Sequence, residues 1–501
     1  MISNNELLKY GEIGKIIKFF QEIDKIPRKS GNEYGMVEYL RHFAQERNGL
    51  EFYTDEFNNV IIKKKSTNGC NSFLAFQSHL DMICEKVDDS IHDFSKDSIN
   101  LKIVGDFIQS DETSIGADNG IGIAYMLTLL DSNTIPHPNL EMIFTSEEET
   151  SMNGAKNIDL SLINSNRIIS LDAFSDNVIN CGCASNLAKF LKLDTQQLHI
   201  PNEANLHSYN IQLKGFKGGH SGKNISENRG NPIICLGQII SQINTENKFF
   251  LNNIEGGTWV TAIPVSAECT FTSPEFNLQE LQETLSSSEK FFRSKFENPD
   301  ISLSIEEIPF SPLGYDCKTS SKILQFISHF PSGSILEDKK TSNTILSANL
   351  GTIWMENNTL FLENSIRSNL DKNLTQKFID RLTQFENKLG LVELEVFDFP
   401  GYTQDKNSEF IKYLTMKYIE LYGYKPDIKD EHFLLECAWF SQKKPNLQYV
   451  SISPNIENPH SPYEKVSISS MQKMWEYIKI ISRDLDRDIN IPKQKEDEID
   501  R

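Results

Sequence analysis

The chain has 501 residues, 38% of them hydrophobic and 24% charged, with a formal net charge of −20. That length allows two or three domains and a large core, and the composition is that of a globular protein. The acidic balance argues against nucleic acid as a main partner and against an anionic membrane surface.

The first residues show no basic stretch leading into an apolar one, so no signal peptide is expected. No apolar run reaches the roughly 18–20 residues that span a bilayer. Eight cysteines are scattered along the chain, and only Cys181 and Cys183 are close. Their spacing is neither a redox nor a zinc motif. Reduced, buried thiols and a cytoplasmic location are expected.

Residues 7–20 and 34–47 carry helical periodicity. Short strands follow near Phe52 and at 60–62, then a buried apolar run at 73–76 that leads to His79 and Asp81. Residues 116–122, with glycines at 116, 120 and 122, read as a turn around Asp118 that feeds an apolar helix at 123–130. The G-K-[ST] of a phosphate loop is missing, which excludes a nucleotide site there. Two more apolar runs, 140–144 and 167–171, lead to Glu147-Glu148-Glu149 and to Asp172.

The grammar changes after Cys183. Strands are expected at 208–213, 258–263 and 267–272, with helices at 232–243 and 278–296. A second set follows: strands at 301–308, 345–354 and 359–366, helices at 320–330 and 375–389. The pattern suggests a duplicated α+β module. After residue 400 the α/β pattern resumes, with a helix at 408–422, a strand at 448–452 and a closing helix at 467–485. The charged residues 492–501 are expected to fray. Residues 1–186 and 398–501 should therefore form one domain, with 187–397 inserted.

Each acidic residue or histidine at these strand ends has an ordinary explanation alone, as a turn former, a helix cap or a solvated face. Together they form a pattern. Open α/β sheets build their sites at the carboxyl ends of the strands. Three strands deliver His79, Asp81, Glu148, Glu149 and Asp172 there, and Asp118 and His460 are further candidates. A mixed histidine and carboxylate set suits an open catalytic zinc site, and manganese or cobalt also fit it. Asp81, two residues past His79, points the same way and can hold the imidazole from behind.

The segments QSHLDMICEK, SIGADNGIGIAYML, TSEEETSMNGA, LDAFSDNVINCGCAS, GFKGGHSGKNISENRGNP and NPHSPYEKVSISSM resemble, in order, those of the aminoacyl-histidine dipeptidases. These are a carnosinase-like branch of the dizinc exopeptidases, and the resemblance spans nearly the whole chain. It implies an α/β catalytic domain, a mixed sheet flanked by helices, with an inserted α+β lid. It implies two divalent ions, most simply Zn2+, bridged by Asp118. His79 and His460 would bind one ion each, and Glu149 and Asp172 would complete the pair.

The resemblance further implies that Glu148 activates a metal-bridging water and that His220 hydrogen-bonds the scissile carbonyl or the oxyanion. Asn231 and Arg367 would grip the free carboxylate of a small peptide. Glu436 would lie near its amine or the metals, and the Asp118–Asn119 peptide would be cis. Where the family shows His-Ala-Gly-Leu-Glu-Cys-Gly, this chain has His432-Phe433-Leu434-Leu435-Glu436-Cys437. The bulk of Phe433 and Leu434 could narrow the pocket. The expected activity is hydrolysis of short unblocked dipeptides, Xaa-His among them, by a protein that could form a homodimer. A dizinc acyl-amino-acid deacylase and a non-catalytic metal-binding scaffold are the alternatives.

Overall fold

The computed structural model describes residues 2–67, 69–203, 205–243, 249–276, 278–339 and 341–489. The charged stretch 492–501 lies outside the described residues. The chain divides into two compact units. The first comprises Met1–Gly182, Thr403–Glu431 and Leu435–Arg501, the second Cys183–Tyr402 and His432–Leu434. The divisions thus fall at 182/183 and 402/403 rather than at 186/187 and 397/398, and His432–Leu434 group with the second unit.

The first unit is built on an eight-stranded sheet, in the order Leu50–Thr54, Val60–Lys64, Asn139–Thr145, Phe73–His79, Arg167–Ser170, Gln448–Ser451, Val178–Cys183, Asp427–Glu431. Phe73–His79 runs parallel to both Asn139–Thr145 and Arg167–Ser170, and Gln448–Ser451 runs parallel to Arg167–Ser170. Strands covered on both faces need apolar residues throughout, which explains the unbroken runs Phe73-Leu74-Ala75-Phe76 and Met142-Ile143-Phe144. Because these strands are parallel, their carboxyl ends share one edge. The residues after them, near 79–81, 146–149 and 171–172, collect there.

The helix Ala117–Asp131 is buried along nearly its whole length. It begins earlier than the apolar run suggested: Gly116, at φ +60, precedes it, and Asp118 and Asn119 form a kink inside it. The Asp118–Asn119 peptide is cis. The opening helix also differs from expectation. It spans Glu12–Ile23, and Gly11 at φ +56 separates it from shorter helical pieces at residues 4–10.

Lys64 closes the far end of the central helix. Its ammonium donates to the carbonyls of Leu129 and Leu130, at 3.1 and 2.9 Å, and to that of Ser132. These are the groups that a helix end leaves unpaired. Lys64→Met keeps the aliphatic stem and strands the carbonyls. A loss of about 1–3 kcal/mol is expected. It should appear as a lower denaturant midpoint with an unchanged slope.

The second unit is built on a large antiparallel sheet, in the order Ser302–Ile308, Leu206–Lys214, Ala267–Pro274, Phe250–Gly256, Thr344–Glu356, Thr359–Ser368, Ser185–Gln196, Leu391–Phe399. Gly333–Glu337 pairs alongside Thr344–Glu356. The helices Pro232–Ile243 and Cys317–His329 pack on this sheet and on each other through one apolar cluster. The strand expected at 258–263 is displaced: the ladder is made by Phe250–Gly256, and only Ala262–Ile263 of the expected stretch is extended. Gly257 ends the ladder at φ +73, where a Cβ would lie 1.8 Å from the Gly351 carbonyl oxygen. Ser302–Ile308 pairs with Leu206–Lys214, while Thr359–Ser368 pairs with Ser185–Gln196. The two expected modules therefore do not pair as separate, equivalent sets, and the pairing does not establish a tandem duplication.

Candidate metal centre

The edge of the first sheet gathers the predicted residues into one cluster. His79 ends its strand with Nδ1 3.3 Å from Asp81 Oδ1 and 3.2 Å from the Asp81 carbonyl. Its Nε2 lies 3.0 Å from Asp118 Oδ1. The other oxygen of Asp118 lies 3.0 Å from His460 Nε2, which is itself 3.1 Å from Glu149 Oε2. Three overlapping sets have donor atoms within 4.8 Å of one another: His79 with Asp118 and Asp172, Asp118 with Glu149 and His460, and His79 with Glu148 and Glu149. Asp118 belongs to both of the first two.

The three consecutive glutamates separate cleanly. Glu147 sits at φ +53 and spends its carboxylate on the local turn, accepting from Ser151 Oγ at 2.5 Å and Asn153 Nδ2 at 3.1 Å. Asp81 accepts the backbone N–H groups of Glu148 and Glu149, each at 3.1 Å. One carboxylate thereby orients the His79 ring and anchors the backbone of both glutamates.

The electrostatics of the cluster are those of buried carboxylates crowded round two histidines. Burial pushes the Glu148 carboxyl well above the usual range, and Glu149, Asp172 and Glu436 push it further. Burial and Asp118 raise Asp172 to about 7. Glu149 is raised by burial and by Asp118. Burial opposes charging of His460, yet bonds to Asp118 and Glu149 push it up to about 11. His79 is likewise buried, but its bonds to Asp118 and Asp81 hold its pKa well above the ordinary value.

Both ring nitrogens of His79 face only oxygen acceptors, and Glu149 Oε1 is buried without a partner. Clustered buried carboxylates with so little compensation are costly unless cations neutralise them. The donor set fits two divalent ions.

Four residues that the sequence reading passed over support this cluster: Arg28, Ser30, Glu33 and Glu464. Ser30 Oγ donates to Asp81 Oδ2 at 2.7 Å, and Glu33 Oε1 accepts the Glu147 N–H at 3.1 Å. A Pro27-Arg28-Lys29-Ser30-Gly31 connection between two amphipathic helices was the available signal. Glu464 is buried, and burial raises its pKa to about 7 against the pull of three backbone N–H donors. Glu436 accepts from Gln77 Nε2 at 2.5 Å and Thr145 Oγ1 at 2.8 Å, while its Oε1 has no partner. Burial pushes it up to about 8. Cys84 is only partly buried, and its thiol points back to the Met82 carbonyl.

A model of peptidase family M20/M25/M40 matches residues 116–483. The chain belongs to this family. It is 29% identical over 467 residues to the cytosol non-specific dipeptidase of Escherichia coli (strain K12), covering 91% of this chain and 94% of that one. Its structure is similar to that of aminoacylhistidine dipeptidase from Vibrio alginolyticus, with TM-score 0.81 and 29% identity over 93% of this chain and 96% of the other. Human carnosine dipeptidase 1, at 12% identity and TM-score 0.50, shares the fold. Family membership makes the chain a metallopeptidase.

The remaining predicted residues lie in the second unit. His220 is exposed, and its Nδ1 accepts the backbone N–H groups of Gly222 and Lys223 at 3.2 and 3.1 Å. That fixes the ring proton on Nε2. Arg367 is buried, with Nε 3.4 Å from Ser221 Oγ and Nη1 without a partner. Burial lowers its pKa to about 10, and no carboxylate among the described residues pairs with it.

His432 Nδ1 lies 2.6 Å from Asn369 Oδ1 and its Nε2 lies 2.8 Å from Ser347 Oγ. Burial and Arg367 push its pKa down to about 3. Asn231 is already engaged. Its Oδ1 accepts the Ile233 N–H at 3.0 Å and its Nδ2 donates to the Leu350 carbonyl at 2.9 Å. Gripping a substrate would require its amide to change partners.

Proposed function

We propose that the chain is a cytosolic dizinc dipeptidase that hydrolyses short peptides with free ends, Xaa-His among them. The observation that carries this reading is the Asp118 carboxylate, with one oxygen 3.0 Å from His79 and the other 3.0 Å from His460. His79, Asp118 and Asp172 would hold one ion, and Asp118, Glu149 and His460 the other. Bound there, the ions would supply Lewis acidity and lower the pKa of the attacking water. Glu148 takes the proton from that water and passes it to the leaving nitrogen, a task suited to a carboxylate with a raised pKa. Asp81 holds the imidazole of His79 and the backbone of Glu148 in register. The unpartnered Oε1 of Glu436 supports a role in receiving the free ammonium of the substrate.

In this proposal the second unit acts as a lid. His220 donates from Nε2 to the carbonyl oxygen as negative charge develops there, and Arg367 binds the terminal carboxylate through its planar fork. Support comes from the tautomer of His220 and from the buried, uncompensated guanidinium. The separate names of the two dipeptidase relatives, and the coverage of both beyond nine-tenths of their length, favour a dipeptidase over a deacylase. A homodimer is part of the proposal. The edge strand Leu391–Phe399 leaves Leu394 and Phe397 exposed, and such edges invite pairing. Among the described residues, no helix is long and apolar enough to cross a membrane.

A dipeptide panel on metal-loaded protein, with free, N-acetylated and C-amidated members, tests the reading. Free dipeptides should be cleaved best. His220→Ala should lower kcat by about 10²–10³-fold with metal content intact. Arg367→Ala should raise KM for free peptides and change little for amidated ones. Preferred cleavage of N-acetylated substrates would turn the reading into the deacylase.

A further inference from the structure

Arg28 and Glu464 lie far apart in sequence and meet at Gly116. Glu464 Oε2 accepts the N–H groups of Ile115 and Gly116 at 2.9 and 2.8 Å, and its Oε1 accepts that of Asp118 at 3.1 Å. From the other side, Arg28 Nη2 donates to the Gly116 carbonyl at 2.7 Å. Its Nη1 lies 3.1 Å from the Asp81 carbonyl and 3.4 Å from that of Leu80, beside His79. Asp24 balances the guanidinium from 3.3 Å, and both side chains are 1% exposed.

The glycines of the turn make room for this arrangement. A Cβ on Gly116 would lie 2.2 Å from Arg28 Nη2, and one on Gly120 would lie 2.8 Å from it. The sequence Gly-Ala-Asp-Asn-Gly thus accommodates a buried guanidinium as well as a turn.

We infer that Arg28 and Glu464 are positioning residues, a buried polar clamp that fixes the backbone leading into Asp118 so that its two oxygens address His79 and His460 at once. A carboxylate shared by two ions tolerates little rotation or translation, because a shift toward one partner is a shift away from the other. Glu464 also lies four residues after His460, so it ties the His460 loop directly to the Asp118 turn. Arg28 ties the same turn to the end of the His79 strand. Three ligand-bearing segments are therefore registered through two side chains that touch neither substrate nor ion. The inference rests on the two-ion reading above.

The test is a Co2+ titration of metal-stripped protein, followed by the visible d–d absorption and by competition with a chromophoric chelator. The unaltered protein should take up two ions per chain. Arg28→Lys, which keeps the charge but not the fork, and Glu464→Gln, which keeps the shape but sets an amide against backbone donors, should each weaken the second ion. About 10–100-fold is expected, the range for partners that orient metal ligands. The d–d band of the doubly loaded form should also change.

Lys64→Met, at the other end of the same helix, is the control. It should lower the Tm of the metal-free protein and leave both affinities unchanged. Unchanged second-ion affinity in both clamp variants would overturn the inference, and so would losses that merely follow Tm in all three. Should Arg28→Lys not fold, Glu464→Gln alone decides between these outcomes. Uptake of fewer than two ions by the unaltered protein would instead refute the two-ion reading itself.

Discussion

Glu148→Gln is expected to keep both ions and lose turnover. Gln preserves the size and hydrogen bonding of the side chain but cannot accept a proton. General-base loss typically costs about 10²–10⁴-fold in kcat. Glu149→Gln should do the opposite, weakening ion uptake, because Glu149 and not Glu148 faces His460. The pair is a sharp test because the two residues are adjacent. Their backbone N–H groups bond to the same Asp81 carboxylate, so a general disturbance of the loop would affect both alike. Metal analysis and kcat measured on the same preparations check it. Reversed phenotypes would exchange the two roles.

The second large effect is expected from Asp118→Ala. It removes the one carboxylate that both triads share, so neither set keeps three donors. Metal content should fall well below two per chain, and activity should drop to the level of the metal-stripped protein. Restoring activity with excess Zn2+ should require far higher concentrations than the unaltered protein needs. A variant that kept two firmly held ions would rule out sharing by Asp118.

Much of this site was legible because three of the five ligand candidates follow an apolar run. His79, Glu149 and Asp172 lie at or just beyond strands that are buried on both faces, where a polar residue is conspicuous. The order of the three glutamates was the weak point in the sequence. The positive φ that sets Glu147 apart from the other two is backbone geometry that no local pattern encodes. The clamp was not legible at all. Arg28 reads as a loop cation and Glu464 as one more surface acid until the fold brings both to Gly116.

In the second unit, helices such as Pro232–Ile243 followed their periodicity, whereas the strands were harder to place. Ser185–Gln196 was overlooked. Leu391–Phe399 was also missed, although it alternates apolar and acidic residues over Leu391-Val392-Glu393-Leu394-Glu395, because an edge strand contributes few apolar residues to the core. The misplaced strand at 258–263 had the right β-branched residues, but Gly257 stops the ladder before it.

The most direct test of the account is a Zn2+ titration of metal-stripped protein with a free Xaa-His dipeptide as substrate, recording hydrolysis against ions bound per chain. The account predicts no hydrolysis in the stripped protein and a rate that reaches its plateau as the second ion binds. Hydrolysis that survives complete chelation, or a plateau with no ions bound, would contradict it.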